Sequence, residues 1–547
     1  MADDETRRRQ NSSPETTQKA EGEGRRSFLI KGGAAVAAAA ALSALPAPAV
    51  ARHGRGGLGR IDLPFTLGVA SGDPLPDRVV IWTRLAPAPQ DPDGGMPGRP
   101  VLVHWEVARD EGFRRVVRKG VTLALPRYGH SVHVDVWGLR PGQTYWYRFW
   151  AAGEWSPVGR TRTAPARRRP LDRFRYAFAS CQDYEDGFYT AYDHLAAEDL
   201  DLVIFLGDYI YEGAPKPVGG SVVRSHTGAG ETVTLEAYRA RYALYKADPL
   251  LQKAHAAFPW VVTLDDHEVD NDWSADIPQD PEQQPREDFL RRRAAAFQAY
   301  WEHMPLRFSS RPRGPDMQLY RDFTFGDLVA FNVLDTRQFR SVTEPCGYGT
   351  GPLCDAVLDP SRTILGAEQE QWLLRRLDRS RARWNVLAQQ VPVTQLDVGP
   401  EETEFKLDKW DAYPVARQRL FDFLAQRRPA NPVVITGDLH DNWVAELKAD
   451  FDDPDSETLA AEFVGTSISS DGDGAEVSEE GEIALRKNPH VRFHNYRRGY
   501  VRCEVTPEAW VTDFRTVPFV QETGAGISTR ASFVLEDGDP VPIEVGV

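Results

Sequence analysis

The sequence predicts an α/β protein in two parts, an all-β module followed by a larger domain of strands alternating with helices. Three observations predict it. Segments 78–84, 101–107 and 130–136 alternate apolar and polar residues between Pro/Gly turns, the signature of half-buried strands. From Phe174 onward, short apolar runs at 174–179, 199–206, 260–264, 328–334, 384–388 and 432–436 are interspersed with helical stretches at 288–303 and 367–378. Each of those six runs stops at polar or charged residues, which is more than turn chemistry requires.

A chain of 547 residues has room for two or three domains and a substantial core. Its 41% hydrophobic and 27% charged residues are those of a soluble globular protein. The net charge of −15 repels a nucleic-acid backbone or an anionic membrane on average, so no nucleic-acid role is expected. A phosphate-bearing substrate would have to be held by local positive charge.

The first 51 residues are read as a leader rather than as fold. Residues 1–24 are polar, and Arg25-Arg26-Ser27-Phe28-Leu29-Ile30-Lys31 then resembles a twin-arginine export signal. An Ala-rich run follows, with small-x-small cleavage sites at Ala47-Pro48-Ala49 and Ala49-Val50-Ala51. The run is short and weakly apolar, so export and cleavage are expected in place of a membrane anchor. Twin-arginine export carries folded proteins, which suits a cofactor loaded beforehand. The expected location is extracellular and the expected state a monomer.

Cys346 and Cys354 flank a Gly-rich loop, and outside the cytoplasm a local disulfide is expected there. Cys503 lies in a strand pattern and reads as a core thiol. Residues 62–165 form the all-β module, in which 138–147 resembles the turn and tyrosine strand of fibronectin type III-like sandwiches. No ligand-type cluster occurs there. Residues 165–170 are a linker, and 171–547 form the second domain, closed by strands after about residue 500. The acidic stretch 450–457 reads as a solvated loop.

The run 202–206 enters Gly207-Asp208, placing a carboxylate at the carboxyl edge of a sheet, where such folds keep their sites. Alone it reads more readily as a strand stopping at a turn, since Gly-Asp is ordinary turn chemistry. Other strand ends add Cys181, Tyr211, Asp265 with Asp266 and His267, and Asp438 with His440. A core thiol remains a reading for Cys181 and a core aromatic for Tyr211. His226, His255, His303, His490 and His494 read as ordinary surface or core histidines.

In order, these blocks resemble the calcineurin-like metallophosphoesterases, with the Tyr three residues after the Asp found in purple acid phosphatases. Ser-Cys-Gln, Gly-Asp-Tyr-Ile-Tyr-Glu, Asp-Asp-His-Glu-Val and Gly-Asp-Leu-His together resemble the PhoD-like alkaline phosphatases, which include a secreted phospholipase D group. Asp266 stands where the wider family has Asn, Asp438 where it has a first His, and Cys181 near its first Asp. The resemblance implies a metallophosphoesterase β-sandwich core flanked by helices, preceded by a fibronectin type III-like sandwich.

It also implies two metal positions. Cys181, Asp208, Tyr211 and His440 would gather at one; thiolate and phenolate beside a carboxylate suit iron(III) better than zinc. Asp208, Asp266, Asp438 and Asn271 would gather at the other, an oxygen-only set that suits calcium before magnesium or manganese. Asp265 is either a further ligand or a partner orienting His267. A hydroxide generated by the metals would attack phosphorus in line, as paired metal ions can make it do. His267 would hold the phosphate or protonate the leaving oxygen, and Arg292 or Arg337 would neutralise transition-state charge. The implied activity is hydrolysis of phosphate monoesters or diesters for phosphate scavenging. Alternatives are a phospholipase D releasing headgroups such as choline, and a catalytically inactive secreted binding protein.

Overall fold

The computed structural model describes residues 63–342, 346–347 and 349–546, so the expected leader lies outside the described residues. Two large sheets, one of ten strands and one of eight, lie face to face. Between them, Phe178, Ile204 and Val261 of the first meet Phe331, Val386, Val433 and Phe463 of the second in one dry core. Helices Thr190–Leu195, Leu235–Lys246, Pro249–Ala257 and Arg286–His303 cover the outer face of the ten-stranded sheet. Helices Gly366–Arg379 and Pro414–Arg427 cover the other. A sheet buried on both faces favours apolar residues at every position, which is why 202–205 reads as an unbroken apolar run and 384–388 as one interrupted only by Asn385.

Within the ten-stranded sheet, Phe174–Ala179, Leu202–Phe205 and Pro259–Val262 run parallel. In the eight-stranded sheet, Val329–Val333, Trp384–Ala388 and Pro432–Thr436 do the same. Their carboxyl ends bring the polar loops of both sheets to one rim, and an isolated bridge between Ser180 and Ser467 ties the sheets together there. Strands Gly499–Val505, Ala509–Thr516 and Ser528–Glu536 close the first sheet, as expected.

The 62–165 segment has its own core, around Val103, Val107, Tyr145, Tyr147 and Phe149. Its sheets are not all its own. Strand Val69–Leu75 pairs in parallel with Pro259–Val262 and carries Arg78–Arg84 and Ser131–Trp137 into the ten-stranded sheet. Gly72 permits that approach, because a Cβ there would lie 2.7 Å from the carbonyl oxygen of its strand partner Trp260. The boundary near 165 thus separates two cores but not two sheets. Val69–Leu75 contains Gly, Asp and Pro and hides its strand character.

Cys346 and Cys354 form the expected disulfide, and Cys503 is a buried free thiol. No helix among the described residues is long and apolar enough to cross a membrane. His226, His255, His303, His490 and His494 are all buried.

Lys246 ends helix Leu235–Lys246 inside the protein, 4.5 Å from the Trp82 ring and 3.4 Å from His255 Nε2. Burial brings its ammonium down from 10.5 to about 7. A base whose folded value is depressed carries a penalty that is complete below pH 7 and fades towards pH 10.5. Lys246→Met is therefore expected to be more stable than the parent at pH 7. That advantage should shrink by ~3 kcal/mol by pH 9.5, as parallel denaturant titrations at the two pH values would show.

Candidate metal centre

The backbone at the rim is bent in an unusual way. Cys181, Asp208, Asp438 and His440 all have positive φ, at 56°, 57°, 70° and 62°. Side chains other than glycine enter that region at a cost of roughly 1 kcal/mol or more, and such residues concentrate where function requires them. Each follows the end of a parallel strand, and the left-handed residue turns the chain back over the sheet edge. Gly207 makes room for the turn, since a Cβ there would lie 2.4 Å from that of Asp265.

Three overlapping groups of ligand-type side chains result. Cys181, Asp208 and His440 form one; Asp208, Asp266 and His267 a second; Asp265, Asp266 and Asp438 a third. In each, the potential ligand atoms lie within 4.8 Å of one another. Asp208 belongs to two of the groups, and so does Asp266. The Tyr211 hydroxyl donates to Asp208 Oδ2 at 3.3 Å and lies 3.1 Å from His440 Nε2, placing the phenol in the first group. Asp208 Oδ1 is buried without a hydrogen-bond partner among the described residues. A buried carboxylate oxygen left bare is costly unless a cation meets it. This donor set therefore fits metal ions.

The charges agree with that reading. Burial, reinforced by Asp266, drives the Asp208 carboxyl well above the usual carboxylate range. Burial likewise raises Asp265, against the pull of Arg337. Burial would also raise Asp266, but Arg337, His267 and Lys409 outweigh it and hold that carboxyl down. Burial pushes the Cys181 thiol up, and Asp208 adds to the shift. The thiol would therefore need a cation to ionise.

Arg337 is fully buried among the acids, bonded through Nε to Asp265 and 3.4 Å from Asp266, 3.5 Å from Asp408 and 3.7 Å from Asp438. That is the place of a counter-ion beneath the carboxylates. Arg292 does not join the cluster. Helix Arg286–His303 buries it against Tyr238 and Asp270, at 3.0 and 3.1 Å, with Glu231 as a further partner. Asn271 lies in the turn beyond Asp266, and its backbone N–H donates to Glu212 Oε1 at 2.8 Å.

His267 stacks on the Tyr211 ring with centroids 4.2 Å apart, and its Nδ1 is 2.8 Å from Glu212 Oε2. Burial would lower the imidazole, but Glu212, Asp266 and Asp208 raise it well above its ordinary value. Behind it, Glu268 is fully buried and accepts the backbone N–H groups of Asp208, Tyr209 and Asp265 at 3.1, 2.7 and 2.8 Å. One carboxylate thus ties together two of the loops that carry candidate ligands, 207–211 and 265–268.

Lys409 was not legible as a site residue. Its Nζ lies 2.6 Å from Asp438 Oδ1 and 2.9 Å from Asp408 Oδ2, yet it follows the two-residue strand Phe405–Lys406 and ends no apolar run. Asp471, which orients His440 through Nδ1 at 2.7 Å, lies in a loop for the same reason. Glu212 did have a signal, as the last residue of Gly-Asp-Tyr-Ile-Tyr-Glu.

A rim at the carboxyl ends of parallel strands, lined by ligand-type acids, imidazoles, a thiol and a phenol, defines a hydrolase centre with candidate metal positions. The sequence profile of the PhoD-like phosphatases matches residues 176–514, and that of their N-terminal domain matches 54–165. Alkaline phosphatase D of Bacillus subtilis (strain 168) is 53% identical over 476 residues, covering 86% of this chain and 81% of that protein. A solved structure described as "Structure of PhoD" superposes with a TM-score of 0.86 at 52% identity, covering 88% of this chain and 92% of the other. The chain belongs to the PhoD-like phosphatase family, and it is a phosphoesterase.

Proposed function

We propose that the protein is a metal-dependent phosphoesterase that hydrolyses phosphate monoesters and diesters outside the cell. The observation that carries the metal reading is Asp208, a residue of two ligand groups whose buried Oδ1 has no hydrogen-bond partner among the described residues. Cys181, Asp208, Tyr211 and His440 would hold iron(III), and Asp208, Asp266 and Asp438, with Asn271, would hold calcium. Bound there, the ions would supply an activated water and neutralise the phosphoryl oxygens.

The chain's own residues do the rest. Glu212 fixes His267 through Nδ1 and keeps it protonated, so Nε2 is the nitrogen left to donate a proton to the departing alkoxide. Stacking on Tyr211 fixes the face of the ring. Arg337 and Lys409 offset carboxylate charge that would otherwise repel a phosphate ester.

The two-sheet sandwich with outer helices supports a metallophosphoesterase core for 171–547, and the separate core of 62–165 supports a fibronectin type III-like sandwich. The twin-arginine pattern supports export, with residues 1–51 removed.

His267→Gln is expected to lower kcat about 10²–10⁴-fold for alkyl phosphates and far less for p-nitrophenyl phosphate, whose leaving group needs no proton. Equal losses on both would remove His267 from the acid role. Metal content and the visible spectrum of the purified protein test the centre itself. A colourless protein without iron would sink the iron assignment. Turnover of p-nitrophenyl phosphate, its bis-ester and phosphatidylcholine side by side separates monoesterase, diesterase and phospholipase.

A further inference from the structure

A second polar feature lies at the opposite edge of the eight-stranded sheet, ahead of the strands whose far ends carry the catalytic loops. A cavity of about 180 Å³ opens there between the 164–170 linker, the turn at Gly326 and Asp327, and the carboxyl end of helix Gly366–Arg379. The charged residues of its wall are Arg167, Arg168, Arg376, Arg379, Arg381 and Asp327. Arg376 is paired with Asp322, and the Asp327 carboxylate accepts the Leu171 N–H at 3.3 Å. Arg167, Arg168, Arg379 and Arg381 have no carboxylate within salt-bridge distance among the described residues.

The linker that supplies two of them is fixed. The Arg168 N–H donates to the Gly326 carbonyl at 2.9 Å, and the Asp327 N–H donates to the Arg169 carbonyl at 3.1 Å. A Cβ on Gly326 would lie 2.5 Å from the Arg169 carbonyl oxygen, so glycine alone allows the two chains to lie this close. Arg168 itself has φ 62°, a conformation that costs a non-glycine residue free energy. Arg379 at a helix carboxyl end complements the helix dipole, but that explains only one of the four. Arg167, Arg168 and Arg381 lie outside any helix.

We propose that this cavity is a non-catalytic binding site for phosphate-type oxyanions. Guanidinium forks match phosphate oxygens with paired hydrogen bonds, and here four exposed ones line a single cavity from two segments, 167–168 and 379–381, of a chain whose net charge is −15. The anion is either released orthophosphate or a distant phosphate of a multiply phosphorylated substrate; the recognition chemistry is the same.

Equilibrium dialysis of the metal-loaded enzyme with labelled orthophosphate is expected to give two bound anions per chain. Arg379→Gln/Arg381→Gln should give one, and so should Arg167→Gln/Arg168→Gln. Both pairs should leave kcat/KM for p-nitrophenyl phosphate within about twofold of the parent, because neither touches the catalytic rim. If the double variants also raise KM for inorganic polyphosphate at least fivefold, the site holds the substrate's distant phosphates; if only orthophosphate binding changes, it holds product. A single anion in the parent, or two in both double variants, overturns the proposal.

Discussion

Asp208→Asn is expected to lower kcat/KM for p-nitrophenyl phosphate by at least about 10³-fold, equivalent to ~4 kcal/mol of transition-state stabilisation. Bound metal should fall with it. The side chain keeps its shape and loses only its charge, and the charge is what two ligand groups share. Asn is the right replacement for a second reason. Position 208 has φ 57°, and Asn enters the left-handed region more easily than Ala, so the turn after Leu202–Phe205 should survive. Tyr211 can still donate to a side-chain oxygen, as it does to Oδ2 at 3.3 Å. The melting temperature of the metal-free variant should therefore stay close to that of the metal-free parent, which separates loss of the centre from loss of the fold. Metal analysis and turnover of the same preparation check both halves. A variant with parental turnover would move the chemistry away from this cluster.

Much of the centre could be read from strand ends because parallel strands buried on both faces advertise themselves as apolar runs. The loops that follow them must then carry whatever chemistry the sheet edge holds. Cys181, Asp208, Asp266, Asp438 and His440 were found in that way, and the structure gathers them. The helical stretch 367–378 was legible for the opposite reason: helix Gly366–Arg379 keeps one buried stripe, at Gln369, Leu373 and Leu377, beneath an exposed charged face. Helix Leu235–Lys246 was not legible. It buries Tyr238, Tyr242 and Tyr245 together with Arg239, Arg241 and Lys246, so it shows no aliphatic stripe. Its arginines are satisfied only by partners remote in sequence, such as Glu302 for Arg239 and the Tyr211 and Gly213 carbonyls for Arg241. Arg292 misled for the same reason. An arginine in a run of three looks free, and only the fold reveals that Asp270 and Glu231 already hold it.

Glu268→Ala is expected to cost roughly 3–5 kcal/mol of stability, because it strands buried amides of Asp208, Tyr209 and Asp265. Glu268→Gln poses a finer question. Its carbonyl oxygen can replace Oε2, which serves Asp208 and Asp265, but its amide nitrogen then faces the Tyr209 N–H, donor against donor. The result should be an intermediate loss of stability and a shift at one loop only. Both loops carry candidate ligands, so a structural change at position 268 must also appear at the metals, although this carboxylate is a member of none of the three ligand groups and touches them only through backbone amides. Glu268→Gln should accordingly weaken metal retention during dialysis against a mild chelator, with kcat recovering as metal is added back in excess. A variant that loses stability while holding its metals as tightly as the parent would show the carboxylate to be an ordinary core brace, with the ligand loops positioned by something else.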